Sequence, residues 1–276
     1  PVRRGPMSLA LLLAAVVFAS PVLAQDDEAP APDPRIDAEG RDVAVYPPDP
    51  IFDHLHLRLV MEIPDMSVPR FTATAMLTIR PIAAPQASIT LRAADSLTIK
   101  EAKLDGAPCT HSRDGDQVTF SFPGVLPPGR TAVLEIAYDA ERPGGGGAGL
   151  TWSKDDTQTP DEDFMFHSQG QPESNHRWFP CHDFPNVRLT SEIEVTVPKG
   201  YDALSNGRLV SMKRLTDGSG RTTFHWLQDK PHSYYLISLI VSKFDVVNVG
   251  GKDTARPGLW MPVCGPLGAA EILRER

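Results

Sequence analysis

Between Gln169 and Asn186 the chain reads QGQPESNHRWFPCHDFPN, a segment dense in groups that can recognise or react. Two glutamines stand two residues apart, which on an extended backbone places both side chains on one side. From there two primary amides could reach one cleft, each offering a carbonyl acceptor and an NH2 donor. Arg177, Cys181 and Asp183 follow, framed by Trp178, Phe179 and Phe184 and by Pro180 and Pro185. The aromatics suit a buried anchor and the prolines fix the path. Arg177 and Asp183 are close enough along an irregular turn to pair. By residue type, the aromatic and proline half is a structural corner. Gln169 and Gln171 fit a corner or a binding cleft equally.

Other constellations carry less chemistry. A metallopeptidase helix needs His-Glu-x-x-His, which sets two imidazoles on one face with a general base between them. None of the eight histidines, at 54, 56, 111, 167, 176, 182, 225 and 232, begins that motif. His54 and His56 share one strand face by alternation, and a solvated pair is expected there. His176, His182 and Asp183 match no recurrent ligand spacing. Cys109, Cys181 and Cys264 show neither CxxC spacing nor a disulfide framework. There is no GxSxG, and the glycine run at 144–147 lacks a following GK[ST]. No catalytic residue and no metal ligand set is therefore assigned within this chain.

The elements that must position the glutamines read as strands. Leu55, Leu57, Leu59, Met61 and Ile63 recur at period two, and so do Phe71, Ala73, Ala75, Leu77 and Ile79. Further alternation covers Val118 to Phe122, Ala132 to Tyr138, and Ile193 to Val197, with Thr223 to Leu227 completing the half-buried set. Tyr234 to Phe244 is apolar on both faces and predicts a central strand covered from both sides. Asp105-Gly106 and Asn206-Gly207 predict tight turns. With 27 prolines and 21 glycines, turns and short strands are favoured over long helices. A formal charge of -8 and a pI near 5.5 argue against a nucleic-acid partner, which needs a basic face.

The ends differ from the middle. Arg3 and Arg4 precede an apolar run from Met7 to Leu23 that closes on Val22-Leu23-Ala24, so residues 1–24 are expected to be a signal peptide. Export to the periplasm or beyond the cell follows as an expectation. Residues 25–47, rich in Pro and Asp, cannot bury a core and are expected to be disordered. An all-β domain is predicted over 48–248. A helical pattern through Ala269, Ala270, Ile272 and Leu273 still runs at Arg276, which predicts that 249–276 is the truncated start of a further domain.

The pattern Gln169-x-Gln171, then Arg177, Trp178, Pro180-Cys181-x-Asp183 and Pro185, resembles the N-terminal domain signature of the aminopeptidase N family of zinc metallopeptidases. The likeness continues through LTSEIEVTVPKGYDALSNG (189–207) and SYYLISLIVSKFDVV (233–247), and covers roughly 150–248 well and 48–150 loosely. It implies a curved, saddle-like, multi-sheet β-sandwich that packs on a downstream zinc catalytic domain of the same protein. It also implies that Gln169 lines the first specificity pocket and that Gln171 receives the free α-amino group of a peptide substrate. Many members carry Glu at that second position, where a carboxylate pairs with the ammonium; Gln171 offers a neutral carbonyl. The resemblance suggests a cis bond just after it, here at Gln171-Pro172. The family's zinc ligands and catalytic groups lie beyond Arg276, so residues 1–276 alone are expected to be inactive as a peptidase. Two further readings stay open, a stand-alone β-sandwich binding or adhesion module and a catalytically inactive scaffold relative.

Overall fold

A computed structural model describes residues 47–143, 148–154, 164–248 and 262–266. The leader expectations, the glycine run at 144–147 and the terminal helical pattern lie outside the described residues. Seventeen strands form four sheets among those residues. The largest runs β13(Arg208–Arg214), β14(Thr222–Ser233), β11(Arg188–Val197), β1(Phe52–Glu62), β2(Arg70–Pro81), β8(Ala132–Glu141), β4(Leu97–Leu104) and β5(Ala107–Pro108) in spatial order. A three-stranded sheet orders β3(Gln86–Arg92), β7(Gln117–Leu126) and β6(Thr110–Asp114). A four-stranded sheet orders β12(Asp202–Ser205), β15(Leu239–Ser242), β10(Phe164–Gln169) and β9(Gly149–Lys154). β16(Phe244–Asn248) and β17(Pro262–Pro266) form an antiparallel pair. The all-β, multi-sheet class predicted from the alternation is what the chain adopts.

Alternation builds this core directly. On β1, Leu57, Leu59 and Met61 point inward, and on β2, Ala73, Ala75, Leu77 and Ile79 do the same. Leu134 and Ile136 of β8 and Ile193 and Val195 of β11 extend that layer. Each fully buried aliphatic side chain contributes about 2–3 kcal/mol by leaving water. Phe52 meets Phe122 of β7 edge-on, with ring centroids 6.3 Å apart, which ties the three-stranded sheet to the large one. Trp226 Nε1 donates to the Ala203 carbonyl at 2.9 Å and ties the four-stranded sheet to β14. β1 and β11 run parallel, unlike the other pairings within the large sheet, so chain segments more than a hundred residues apart lie side by side.

Two local expectations are corrected. His54 and His56 do not share a face, because the β1–β2 register shifts between them and Leu55 occupies a bulge. The bulge turns His54 into the core beside Phe52, at 6% exposure, and leaves Leu55 only half-buried. The run from Tyr234 to Phe244 is not one strand. Tyr234–Leu236 forms a 3-10 turn, Leu239–Ser242 pairs centrally between β12 and β10, and Phe244 already begins β16. Asp105 and Gly106 form the expected two-residue hairpin between β4 and β5, both with positive φ. Asn206-Gly207 is likewise a two-residue turn between strands, and it carries the chain from the four-stranded sheet to the eight-stranded one. Gly207 has φ +82°, and a Cβ there would lie 2.0 Å from the Leu227 carbonyl oxygen, so only glycine fits that crossing.

Candidate functional site

β10 delivers Gln169 to the rim of the four-stranded sheet, paired with Gly149 of β9. The chain then turns through Gly170, Gln171 and a cis Gln171-Pro172 bond, the isomer expected there. Gln169 and Gln171 are both exposed. The Gln171 N–H donates to the Gln169 side-chain carbonyl at 3.2 Å, so the first amide folds back along the loop and holds it. Glu173, two residues on, pairs with Arg92 of β3 at 3.3 Å.

Beneath this rim lies a residue that the sequence pattern does not single out. Asn175 is fully buried and makes three side-chain hydrogen bonds. Its NH2 donates to the Tyr234 carbonyl at 2.5 Å and the Ile237 carbonyl at 3.1 Å, and its carbonyl accepts from Trp178 Nε1 at 2.8 Å. One side chain thereby locks the 234–237 turn to the 175–178 turn. Gly170 is wedged against the same group. A Cβ there would lie 2.3 Å from the Tyr235 carbonyl oxygen and 2.8 Å from Asn175 Oδ1. The glycine between the two glutamines is thus the condition for the loop to sit on this platform. An Asn amid the HRWFP aromatics and a Gly between paired amides are the signals that could have pointed to it.

The signature residues lie together at one corner of the fold, where Asp183 takes a partner other than Arg177. Trp178, Phe179, Pro180 and Cys181 are buried, and Trp178 meets Phe179 edge-on at 4.5 Å. Tyr138 donates its hydroxyl proton to the Trp178 carbonyl at 3.0 Å. Cys181 bridges to Arg92 through paired backbone hydrogen bonds of 2.7 and 3.0 Å. Burial, with the Asp183 charge beside it, pushes the Cys181 thiol well above its ordinary pKa, and the thiol is free rather than in a disulfide. Asp183 has φ +55° and is buried, but its partner is His176, not Arg177. Its carboxylate accepts from the Asn175 and His176 N–H groups at 3.2 and 3.0 Å and from His176 Nδ1 at 2.5 Å. These backbone and imidazole donors fill the acceptor positions of the carboxylate. Arg177 is half-buried, and its carbonyl accepts from Ser96 Oγ at 3.4 Å. Pro185 is exposed, and its carbonyl accepts from Ser233 Oγ at 3.2 Å.

The far side of the platform rests on His54. Its Nδ1 lies 2.7 Å from the Tyr234 hydroxyl. Burial, and then the neighbouring His182, lower the His54 pKa to about 3, so the ring is neutral at ordinary pH. Burial likewise lowers His182 and holds the Tyr234 hydroxyl well above its ordinary value.

An all-β multi-sheet domain that presents Gln-Gly-Gln on a rim over an Arg-Trp-Phe-Pro-Cys corner defines the class. Residues 51–236 match the model of the peptidase M1 N-terminal domain, and the chain belongs to that family. It is 30% identical to leukotriene A-4 hydrolase of Xenopus laevis over 215 residues, which are 73% of this chain and 33% of that protein. A 77-residue stretch is 39% identical to human glutamyl aminopeptidase, covering 28% of this chain and 8% of that protein. Among solved structures, the M1 zinc metallopeptidase of Deinococcus radiodurans superposes with a TM-score of 0.61 at 21% identity, over 81% of this chain and 52% of that one. A variant of it bound to a Tyr-Ser-Ala substrate superposes at 0.60 over the same shares. The chain thus spans about a third of its hydrolase relative and about half of the metallopeptidase.

Proposed function

We propose that this chain is the N-terminal, pocket-forming part of an exported zinc aminopeptidase that removes residues from peptide N-termini. The observation that carries the reading is the rim itself: two exposed glutamines on a turn seated on Asn175, where no side chain fits at residue 170. In this reading Gln169 lines the pocket for the substrate's first side chain, and the Gln171 carbonyl accepts from its α-ammonium. Such a bond to a charged donor is worth about 1.5–3 kcal/mol. The rigid platform lets that energy act on the reacting geometry rather than on ordering the loop. Zinc would activate water in the complete enzyme. The corner does not fit that ion, since His176 and Asp183 are closed on each other and the rim presents amides. The ligands are therefore assigned to a downstream zinc domain, with 249–276 as its beginning. Residues 1–24 carry the chain out of the cytoplasm, to periplasmic or secreted destinations.

Steady-state turnover of aminoacyl-anilides by the complete protein tests the site. Gln171→Ala is expected to raise KM by about tenfold or more, the equivalent of one charge-assisted hydrogen bond. Gln171→Glu is expected to lower KM by restoring a carboxylate. Parental KM in both variants would remove Gln171 from amine recognition, and no turnover by the parent would favour the scaffold or binding-module reading. A reporter active only outside the cytoplasm, fused to residues 1–24, tests export.

A further inference from the structure

The polar face of the eight-stranded sheet brings together groups that the rim does not use. Glu192 and Glu194 of β11 and His225 of β14 present one oxygen or nitrogen each, all within 4.8 Å of one another. His225 Nε2 lies 2.9 Å from one carboxylate oxygen of Glu192, and His56 Nε2 of β1 lies 3.4 Å from the other. Arg58 Nη2 holds Glu194 at 2.5 Å. The two glutamates and the two histidines are between 22% and 28% exposed, half-sunk in the sheet rather than waving in water.

We propose that Glu192, Glu194 and His225 bind one divalent transition-metal ion of zinc-like ligand preference. Two carboxylates and an imidazole suit such an ion, whereas the imidazole disfavours magnesium or calcium, which take oxygen ligands. The scaffold is rigid because the reverse faces of these strands are core. Ile193, Val195 and Phe224, which alternate with the ligands, are at most 4% exposed. His56 restrains the carboxylate of Glu192 from the side away from His225, as partners of metal-ligating groups do. Imidazoles aside, two carboxylates face one guanidinium. Arg58 Nε is buried without a hydrogen-bond partner, although the side chain is 42% exposed and its Nη2 is paired with Glu194. Releasing Arg58 to solvent would return that donor to water, while a divalent ion would neutralise both glutamates.

The test uses the 276-residue chain, stripped of metal with a chelator, and two probes. Cobalt(II) is titrated while its visible absorption is recorded, and zinc is titrated against a chromophoric chelator. One ion per chain is expected, with zinc raising the thermal midpoint. His225→Ala and Glu192→Gln should each weaken zinc at least tenfold, whereas His111→Ala, at an exposed edge strand, should leave it unchanged. Arg58→Met should tighten zinc several-fold, because it removes the competing cation. Losing a positive charge also favours diffuse cation binding, so the gain must vanish in the double variant Arg58→Met with Glu192→Gln. A gain that persists there marks adventitious surface binding and overturns the proposal. Glu192→Gln and Glu194→Gln are close isosteres, so circular dichroism checks that they fold if His225→Ala does not. Absence of stoichiometric binding, or unchanged zinc affinity in folded Glu192→Gln and Glu194→Gln, overturns the proposal.

Discussion

Replacing His54 by glutamine exposes how a buried imidazole couples this domain to pH. In the fold His54 is 6% exposed and its pKa falls to about 3, chiefly through burial and then through the nearby His182. In the unfolded chain it returns to about 6.5. Between those values the unfolded state takes up a proton that the folded state refuses. The stability held above pH 6.5 is therefore lost as pH falls, at about 1.4 kcal/mol per unit for this one group. From pH 7.5 to 4.5 the loss from His54 comes to about 2.7 kcal/mol, two full units below the unfolded pKa and still well above the folded one. His54→Gln keeps an amide near the Tyr234 hydroxyl but cannot titrate. It is expected to be less stable at pH 7.5 and to fall less steeply in acid. The assay is urea unfolding of both proteins at the two pH values, comparing the two pH-dependent differences. His182 and Tyr234 face the ring in both proteins, so their contributions cancel to first order. A pH dependence in the variant within about 1 kcal/mol of the parent's would refute a neutral, buried His54.

Three other outcomes follow from the platform. Asn175→Ala leaves the Tyr234 and Ile237 carbonyls and Trp178 Nε1 without their partner, and should cost about 3 kcal/mol in urea unfolding. Gly170→Ala must displace the Tyr235 carbonyl or the rim itself, costing about 2–4 kcal/mol, and in the complete protein should lower kcat/KM while far-UV circular dichroism stays native. Cys181 should resist maleimide in the native fold and react only on unfolding, as peptide mass mapping would show; labelling of the native protein at Cys181 contradicts its burial.

What was legible in the sequence is what repeats locally. The period-two runs at 57–61, 71–79, 132–138 and 193–197 depend only on side chains alternating across a pleat, and they fold as read. Asp105-Gly106 also held, because two consecutive positive φ values are a property of that dipeptide. The failures are places where a distant partner decides. Nothing near Leu55 announces a bulge; it arises because His54 finds Tyr234 across 180 positions of chain. The run from Tyr234 to Phe244 has the composition of one buried strand, yet Asn175 draws the Tyr234 and Ile237 carbonyls out of any ladder and bends its first half into a turn. Arg177 was the obvious partner for Asp183 by charge, but geometry favoured the N–H groups and imidazole of the adjoining turn.

The same distinction separates the two proposed sites. Gln169 and Gln171 announce themselves because spacing and side chain both lie in one short segment. Glu192, Glu194 and His225 look like ordinary solvent-facing alternation on two separate strands. Only antiparallel pairing of β11 with β14 sets His225 opposite Glu194, and only parallel pairing of β1 with β11 sets Arg58 opposite Glu192. A strand-by-strand reading assigns each polar residue to water one at a time. The sheet makes them neighbours, and neighbouring carboxylates and imidazoles on a rigid face have a chemistry that none of them has alone. The response of zinc affinity to Arg58→Met, read with and without Glu192→Gln, measures that difference. On an ordinary salt-bridged surface the substitution removes one charge pair and creates no ligand site, whereas at a cation site it frees Glu194 to coordinate.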